Sequence, residues 1–252
     1  MKVIVFDTET TSLEKPFAYN IGYVILDTDT AEIVQQRDYV VEQVWHNPML
    51  FTTAYYADKR DLYVSRMRGK TCKLEKFGYI MQQIYRDIQA FEIECGFAYN
   101  SPFDVGVFAF NCDWFKCINP IETLPIYDIR GYVHKFIAFT PAFQEYCDQY
   151  GLYTESGNYS TTAEAVYRYV SGIHDFNEEH TALADSIIEA YILGVCVGLG
   201  AEWATVYKVY QSIPRKVERT YTVIDHEGNK HTFQYTTKRK INKGEGVRLQ
   251  LK

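Results

Sequence analysis

The sequence lacks the features that define several common classes of protein. Its six cysteines form no Cys-x-x-Cys pair and stand at no zinc-finger spacing from a histidine, so we expect reduced core thiols. The longest apolar stretch, around Ala190–Ala201, is interrupted by glycines and is too short to span a bilayer. The apolar run Val3–Phe6 ends at Asp7, so no signal peptide is expected either. These absences predict a cytoplasmic protein without membrane association.

An excess of positive charge is also missing. The 252 residues carry a net charge of −6, which excludes a protein that coats nucleic acid through bulk charge. The charge is uneven, however, because Ile213–Lys252 holds ten basic and four acidic residues and the remainder is strongly acidic. Such a distribution is compatible with carboxylates that hold cations and a basic end that holds phosphates. The alternative is a basic end that is only solvated.

Hydrophobic periodicity predicts an α/β fold. Helical spacing covers Leu74–Ala90, about Pro102–Phe115 and most of the chain from Asp128 to about Gln211. Five short runs rich in β-branched and aromatic residues are predicted to be strands: Val3–Phe6, Asn20–Leu26, Ile33–Val41, Gly96–Tyr99 and Ile126–Asp128. The order of these elements indicates an antiparallel meander extended into a mixed five-stranded sheet that helices cover.

The pattern changes after Pro214. Val217–Ile224 and Lys230–Thr236 are strand-like, and the segment between them contains Gly228-Asn229, which favours a hairpin turn. We therefore expect residues 1–212 to form one domain and residues 213–252 to form a basic C-terminal β-hairpin extension.

Two carboxylates follow the first predicted strand. Asp7 and Glu9 are two residues apart, so in an extended strand both side chains point to one face. Two carboxylates on one face repel each other unless a proton or a cation lies between them. Mg²⁺ and Mn²⁺ prefer such oxygen ligands. An Asp-x-Glu pair is common in proteins. The alternative to a metal site is therefore a strand end at which both carboxylates are only solvated.

A third carboxylate, Asp104, closes the sequence Asn100-Ser101-Pro102-Phe103-Asp104. One interpretation is the start of a helix. Ser101 would be the N-cap, Pro102 would take the first helical position, and Asp104 would complete a pattern like a capping box. The other interpretation is that Asp104, on the first helical turn, faces a metal ion. The local sequence does not separate the two.

The last motif pairs His180 with Asp185. The apolar run after Asp185 predicts a helix that includes this residue. An offset of five residues is about 140° around a regular helix, so the two side chains cannot share one helical face. To act together, His180 has to lie on the turn that enters the helix, where a histidine is suited to be a general base. The alternative interpretation is that His180 is an ordinary surface histidine without a catalytic role.

In combination the motifs resemble the DEDDh branch of the ribonuclease-H-like 3′→5′ exonucleases, which includes proofreading exonuclease subunits, ribonuclease T and oligoribonuclease. The likeness covers roughly residues 1–197, and the segments that carry it are FDTETTSL with Asp7 and Glu9, AYNSPFD with Asn100 and Asp104, and HTALADS with His180 and Asp185. It implies a ribonuclease-H-like sheet flanked by helices. Ser12 departs from the pattern, since the family often has glycine there.

The resemblance also implies a chemistry. Two divalent cations, Mg²⁺ or Mn²⁺, would be held by Asp7, Glu9, Asp104 and Asp185, with Asp7 bridging both. His180 would take the proton from the attacking water as general base. The products would be 5′-mononucleotides released from a 3′ end of DNA or RNA, most simply single-stranded DNA.

Five further residues are predicted to contact the substrate. By resemblance Leu13 is the apolar contact of the terminal base, and Asn100 belongs to the second motif. Thr10 and Thr11 can offer backbone and hydroxyl groups to sugar and phosphate. Phe103 is the aromatic residue expected nearest the site, with packing between helix and sheet as the alternative.

Other functions remain open at this point. An exoribonuclease or oligoribonuclease that trims RNA is the first alternative, and a non-catalytic nucleic-acid-binding polymerase accessory protein is the second. Because no polymerase motif is found, a proofreading role would need a polymerase or other protein partner, for which the C-terminal extension is a candidate surface. The basic stretch Lys59–Lys76 is predicted to be either a nucleic-acid path or a solvated loop.

Overall fold

The computed structural model describes residues 1–54, 56–215, 217–224 and 230–237. Eight strands are found there: β1 Lys2–Thr10, β2 Ala18–Asp27, β3 Glu32–Val41, β4 Lys73–Glu75, β5 Gly96–Ala98, β6 Ile126–Asp128, β7 Val217–Ile224 and β8 Lys230–Thr237. The α-helices are α1 Glu42–Trp45, α2 Pro48–Phe51, α3 Arg60–Arg68, α4 Phe77–Ala90, α5 Ser101–Phe115, α6 Ile129–Val133, α7 Pro141–Tyr150, α8 Ala163–Ser171 and α9 Ala182–Gly198. No helix in these ranges is both long enough and apolar enough to cross a membrane.

The first six strands form one mixed sheet in the order β4-β3-β2-β1-β5-β6. The pairs β1–β2 and β2–β3 are antiparallel, whereas β3–β4, β1–β5 and β5–β6 are parallel. The predicted mixed sheet is confirmed, but the predicted number of five strands is wrong. The missed strand is Lys73–Glu75, whose three residues directly precede α4 and carry no alternation of their own.

Alternation along β1 separates the two faces of the sheet. Phe6 packs edge-on against Phe108 of α5, with ring centroids 5.5 Å apart. Asp7 pairs across the strands with Gly22 of β2, on the face that α9 covers. The large apolar cluster of the protein lies on the α4 and α5 side. The carboxylates of β1 are therefore directed away from that cluster, at the end of the strand.

Glycine at position 22 lets α9 approach the sheet. A Cβ atom there would lie 2.1 Å from the backbone nitrogen of Leu183 and 2.2 Å from the carbonyl carbon of Ala182. In the space that glycine leaves, the Ser186 hydroxyl donates to the Gly22 carbonyl oxygen at 3.1 Å. Asn20 Oδ1 accepts from the first helical N–H, that of Ala182, at 2.8 Å. These contacts fix the start of α9, and with it Asp185, against β2, the strand that pairs with the Asp7 strand β1.

Two compact units are distinguished: the first comprises Met1–Ile137 and Thr162–Val209, and the second comprises Ala138–Thr161 and the described residues from Tyr210 onward. In the second unit Tyr159 pairs with Tyr153 and with Ile213, and Arg215 lies 3.5 Å from the carboxylate of Asp148. Strands β7 and β8 pair antiparallel. The predicted turn at Gly228-Asn229 and the basic residues after Thr237 lie outside the described residues, so the hairpin extension and the boundary at residue 212 stay predictions.

Candidate active site

Three of the predicted carboxylates meet at the end of β1. Oxygen atoms of Asp7, Glu9 and Asp185 all lie within 4.8 Å of one another. Asp7 and Glu9 share a face because of the strand period, and Asp185 reaches them from the first turn of α9. Asp185 is 7% exposed, and Asp7 and Glu9 are partly buried. We call these three residues the carboxylate cluster.

Asp104 stands beside the carboxylate cluster rather than inside it. It lies in the first turn of α5, is 1% exposed, and its Oδ1 accepts from the Thr8 hydroxyl at 2.7 Å. The predicted capping pattern is wrong, because the N-cap is Asn100 and Ser101 is already helical, with no side-chain hydrogen bond at the cap. Asp104 is thus bound to the strand that carries the other acids, and its charge raises the pKa of Asp7.

The electrostatics of the carboxylate cluster favour a bound cation. Burial, and after it the charges of Asp104, Glu189 and Asp185, raise the pKa of Asp7 well above its ordinary value. Burial and neighbouring acids, including Glu9, raise the pKa of Asp185 to about 9. Among the described residues, Asp185 Oδ1 is buried and has no hydrogen-bond partner.

A divalent cation fits this environment. It would supply the missing partner of Asp185 Oδ1 and offset the repulsion between the carboxylates. Carboxylate oxygens are hard ligands of the kind that Mg²⁺ and Mn²⁺ select.

His180 lies on the turn before α9, as the five-residue offset from Asp185 requires. The helix begins at Ala182, and His180 has a left-handed backbone with φ of 50°. Burial, and after it the ammonium group of Lys59, lower the pKa of the imidazole. A lowered pKa keeps the ring neutral near pH 7, which is the form that can accept a proton.

The turn that carries His180 is held by the segment around α3. The Tyr56 ring stacks on His180 with centroids 4.7 Å apart and an interplanar angle of 13°. Lys59 Nζ donates to the carbonyl oxygens of Glu179 and His180, the latter at 3.2 Å. Arg66 pairs with the Glu179 carboxylate and donates to the Thr181 hydroxyl at 3.1 Å.

The contacts of this segment bear on the predicted use of its basic residues. Arg66 and Lys59 bind the His180 turn, and Arg60 lies over the rings of Trp45 and Phe51 at 4.1 and 5.0 Å. These three side chains therefore have structural partners within the protein. A merely solvated loop does not describe these three side chains, and the nucleic-acid path stays a prediction.

The predicted substrate contacts differ in exposure. Leu13 is 83% exposed at the tip of the turn after β1. Thr11 is buried and its hydroxyl donates to the Lys15 carbonyl at 3.3 Å, so it shapes that turn, whereas Thr10 is only partly buried. Asn100 is exposed, with a left-handed φ of 63°, and Phe103 packs partly against the core.

Two acidic residues near the site were not found from the sequence. Glu189 is 3% exposed, lies one turn after Asp185 on α9 and accepts from the Tyr99 backbone N–H at 3.2 Å. Its spacing of four residues from Asp185, inside an apolar helix, was a usable signal. Glu178 lies beside His180, with Oε2 3.4 Å from Nδ1. Nothing in the local sequence distinguishes it from Glu179.

Comparison with known proteins confirms the fold. No family model and no curated protein sequence matches the chain. Among the similar solved structures, a full-length 3′-exonuclease has a TM-score of 0.55 at 14% identity, covering 84% of this chain and 92% of its own. The nuclease domain of 3′hExo, a DEDDh family member bound to rAMP, has a TM-score of 0.52 at 14% identity, with 84% and 97% covered.

A further similar structure is a 3′-exonuclease in 3′-end-specific recognition of the histone mRNA stem-loop. Its TM-score is 0.52 at 13% identity, and the match covers 92% of this chain and 70% of that one. The helix-flanked mixed sheet is the architecture shared with these proteins. The chain therefore has the fold of the DEDDh 3′-exonucleases, as its sequence motifs predict.

Proposed function

We propose that the protein is a divalent-metal-dependent 3′→5′ exonuclease that releases 5′-mononucleotides from single-stranded DNA. The observation that carries this proposal is the carboxylate cluster, with its buried and unpartnered Asp185 Oδ1, beside a neutral histidine. The exonuclease fold around it supports the same reaction class. Hydrolysis of a phosphodiester needs these two elements, namely charge stabilisation at the phosphate and a proton acceptor for water.

Asp7, Glu9 and Asp185 would hold the cations, with Asp104 contributing from the α5 side. When bound, Mg²⁺ or Mn²⁺ supplies positive charge that activates water and stabilises the charge on the reacting phosphate. Glu9 is steadied by the Tyr19 hydroxyl, which donates to its Oε2 at 3.5 Å. Asp104 is steadied by Thr8, so these two carboxylates are held in place before any ligand arrives.

His180 would accept the proton of the attacking water. Its ring is neutral near pH 7 because burial and Lys59 lower its pKa. Leu13, exposed on its turn, would contact the terminal base, and Thr10 would offer its hydroxyl to the sugar or phosphate. Thr11, which donates to Lys15, and Phe103, which packs partly against the core, would shape the site more than contact the substrate.

RNA is the second candidate substrate. Two similar structures are of proteins that bind rAMP and an mRNA stem-loop, which favours testing an exoribonuclease activity alongside the DNA reaction. A role in proofreading, and a polymerase or other protein partner bound through residues 213–252, remain proposals of the same kind.

The test is digestion of end-labelled single-stranded and double-stranded DNA and RNA with Mg²⁺, Mn²⁺ or EDTA. A 5′ label should show products that shorten one nucleotide at a time, and a 3′ label should appear at once as a mononucleotide. Full activity in excess EDTA would contradict the metal requirement. Absence of cleavage on all four substrates with either metal would favour the non-catalytic binding protein.

A further inference from the structure

Glu178 lies beside Nδ1, one of the two ring nitrogens of His180. Its Oε2 lies 3.4 Å from Nδ1, and the two side chains are 13% and 35% exposed. Glu178 is therefore largely shielded from water, and its carboxylate interacts with the imidazole more strongly than a fully exposed one would.

We propose that Glu178 is a positioning residue that keeps the ring proton of His180 on Nδ1 and so reserves Nε2 for the proton of the attacking water. This inference rests on the proposed exonuclease function. A neutral imidazole carries one N–H and one acceptor nitrogen, and an ionised carboxylate can only accept. The 3.4 Å contact then favours the proton on Nδ1, and Nε2 is left as the base. The same carboxylate would stabilise the imidazolium that forms when Nε2 takes the proton.

The rest of the ring environment supports one fixed orientation. Tyr56 stacks on the imidazole, and Lys59 Nζ, 4.1 Å from the centroid of the Tyr56 ring, also binds the His180 carbonyl oxygen. The ring is thus restrained on its face by Tyr56, at Nδ1 by Glu178 and at its backbone by Lys59. A carboxylate that fixes a restrained ring determines the tautomer as well as the direction of Nε2.

Several charged groups face Glu178. Glu164 of α8 and Lys59 act on it directly, and its own charge raises the pKa of Glu9, Asp185 and Glu189. Burial, and after it Glu164, raise the pKa of Glu178 to about 7, while Lys59 opposes them. The carboxylate form that accepts from Nδ1 therefore dominates above neutrality, and the test belongs at about pH 8, where the ordinary imidazole is also neutral.

Glu164 provides a matched control. An oxygen of Glu164, one of Glu178 and a nitrogen of His180 lie within 4.8 Å of one another, so both glutamates are close to the ring. Glu164, however, forms an ion pair with Arg168 on the same helix. Glu164→Gln and Glu178→Gln each remove one carboxylate near the ring, and only Glu178→Gln changes the 3.4 Å contact with Nδ1.

The first experiment measures steady-state kinetics at about pH 8 with saturating metal on a strand that the wild type digests. Glu178→Gln should lower kcat about 10-fold and leave KM within about twofold, as expected for a group that orients a catalytic side chain. Glu164→Gln should stay within about twofold of wild type. In a His180→Ala background, Glu178→Gln should have no further effect, because it acts through the missing ring.

Three outcomes would overturn the proposal. The first is a Glu178→Gln enzyme with the wild-type kcat, and the second is an equal loss from Glu178→Gln with and without His180. The third is an equal loss from Glu164→Gln and Glu178→Gln that added metal restores, since the two glutamates would then form a cation site.

The second experiment does not depend on activity. In ¹⁵N-histidine spectra of the metal-free protein, assigned by comparison with His180→Ala, His180 should be the Nδ1–H tautomer in the wild type and shift toward Nε2–H in Glu178→Gln. A wild-type Nε2–H tautomer would refute the inference even in an active enzyme. An inactive wild type with the Nδ1–H tautomer would instead refute the proposed function and leave the positioning contact standing.

Discussion

Two groups of potential metal ligands lie in the same compact unit, and their surroundings differ. In the carboxylate cluster, burial and after it neighbouring acids raise the pKa of Asp7, and among the described residues the buried Asp185 Oδ1 has no hydrogen-bond partner. In the second group, which we call the glutamate–histidine cluster, Glu164 pairs with Arg168 and Glu178 contacts His180. Each glutamate of the second group thus contacts an arginine or the imidazole, whereas the buried oxygen of Asp185 in the first group has no such contact among the described residues, which favours a bound cation.

The comparison shows that spacing of ligand atoms alone does not identify a metal site. Both groups bring three potential ligand atoms within 4.8 Å. What separates them is the presence of partners: a like-charged cluster with an orphaned buried oxygen is destabilised until a cation binds. A carboxylate that already contacts an arginine or an imidazole has no such need.

The largest expected effect comes from breaking the carboxylate cluster. Asp7→Asn should lower kcat by at least about 10³-fold, because the carboxylate cluster loses one of its charged metal ligands. The exposed Asp113→Asn, which removes a surface pair with Lys116, is the matched control and should retain activity. Kinetics with Mg²⁺ and a thermal melt of each variant check this, and a folded, fully active Asp7→Asn protein would contradict the metal assignment.

Breaking the glutamate–histidine cluster should affect the rate and spare the metal. His180→Ala is expected to lower kcat by about 10²–10⁴-fold, the usual loss of a general base. Binding of a labelled strand, measured by fluorescence anisotropy, should change little. His46→Ala, at an exposed histidine, is the control. Cleavage at the normal rate by His180→Ala would remove this residue from the chemistry.

In the metal-free protein, repulsion within the carboxylate cluster should make the free energy of unfolding depend on pH. Burial, and after it neighbouring acids, raise the pKa of Asp185 from 3.8 to about 9, so the folded state binds protons more tightly than the unfolded state between these values. The free energy of unfolding should therefore fall as pH rises through that window. In EDTA at about pH 8, Asp7→Asn should raise the melting temperature by about 2–8 °C, equivalent to roughly 1–2 kcal/mol.

At about pH 4 the carboxyls are protonated in both proteins, and the difference in melting temperature should largely vanish. Added Mn²⁺ should stabilise the wild type more than Asp7→Asn. A wild type whose metal-free stability increases from about pH 5 to 9 would show that these carboxylates are not in conflict.

The smallest effect is expected from removal of the basic C-terminal residues. A cut after Thr237 should raise KM on long strands by about 3–10-fold at low salt, flatten the salt dependence and spare turnover of a dinucleotide. Its basis is the basic charge of residues 238–252, namely Lys238, Arg239, Lys240, Lys243, Arg248 and Lys252. A full-length variant with these residues changed to glutamine is the control. Unchanged affinity across a salt series would exclude a substrate clamp.

The position of the cut matters for the second compact unit. Removal of everything after Gln211 would also delete Ile213, which pairs with Tyr159, and Arg215, which lies beside Asp148. A loss of affinity in such a protein could come from the unit Ala138–Thr161. The later cut keeps these contacts, and comparison with the full-length glutamine variant separates loss of charge from loss of the segment.

The parts of the site that the sequence predicted are those set by local periodicity. Asp7 and Glu9 share a face because the strand period is two, and His180 must precede the helix because five residues do not bring it onto the face of Asp185. Both statements depend on neighbours in the chain, so no tertiary contact was needed.

The features of the site that the sequence did not predict depend on segments distant in the chain or on competing local signals. Tyr56 and Lys59 reach His180 across more than a hundred residues, as in the Lys59 contact to the His180 carbonyl oxygen, and no local pattern encodes this. Asp104 had the spacing of a helix cap, yet its carboxylate accepts from Thr8 of β1. The close approach at Gly22 likewise becomes visible only when α9 is in place.

Direct counting of bound Mn²⁺ by electron paramagnetic resonance tests the difference between the two clusters. Wild type, Asp185→Asn and Glu164→Gln would be titrated with Mn²⁺ in the absence of nucleic acid. The wild type and Glu164→Gln should bind Mn²⁺ with similar affinity, and Asp185→Asn should bind it at least about 10-fold more weakly. Normal binding by Asp185→Asn together with loss of binding by Glu164→Gln would place the metal at the glutamate–histidine cluster and contradict the assignment made here.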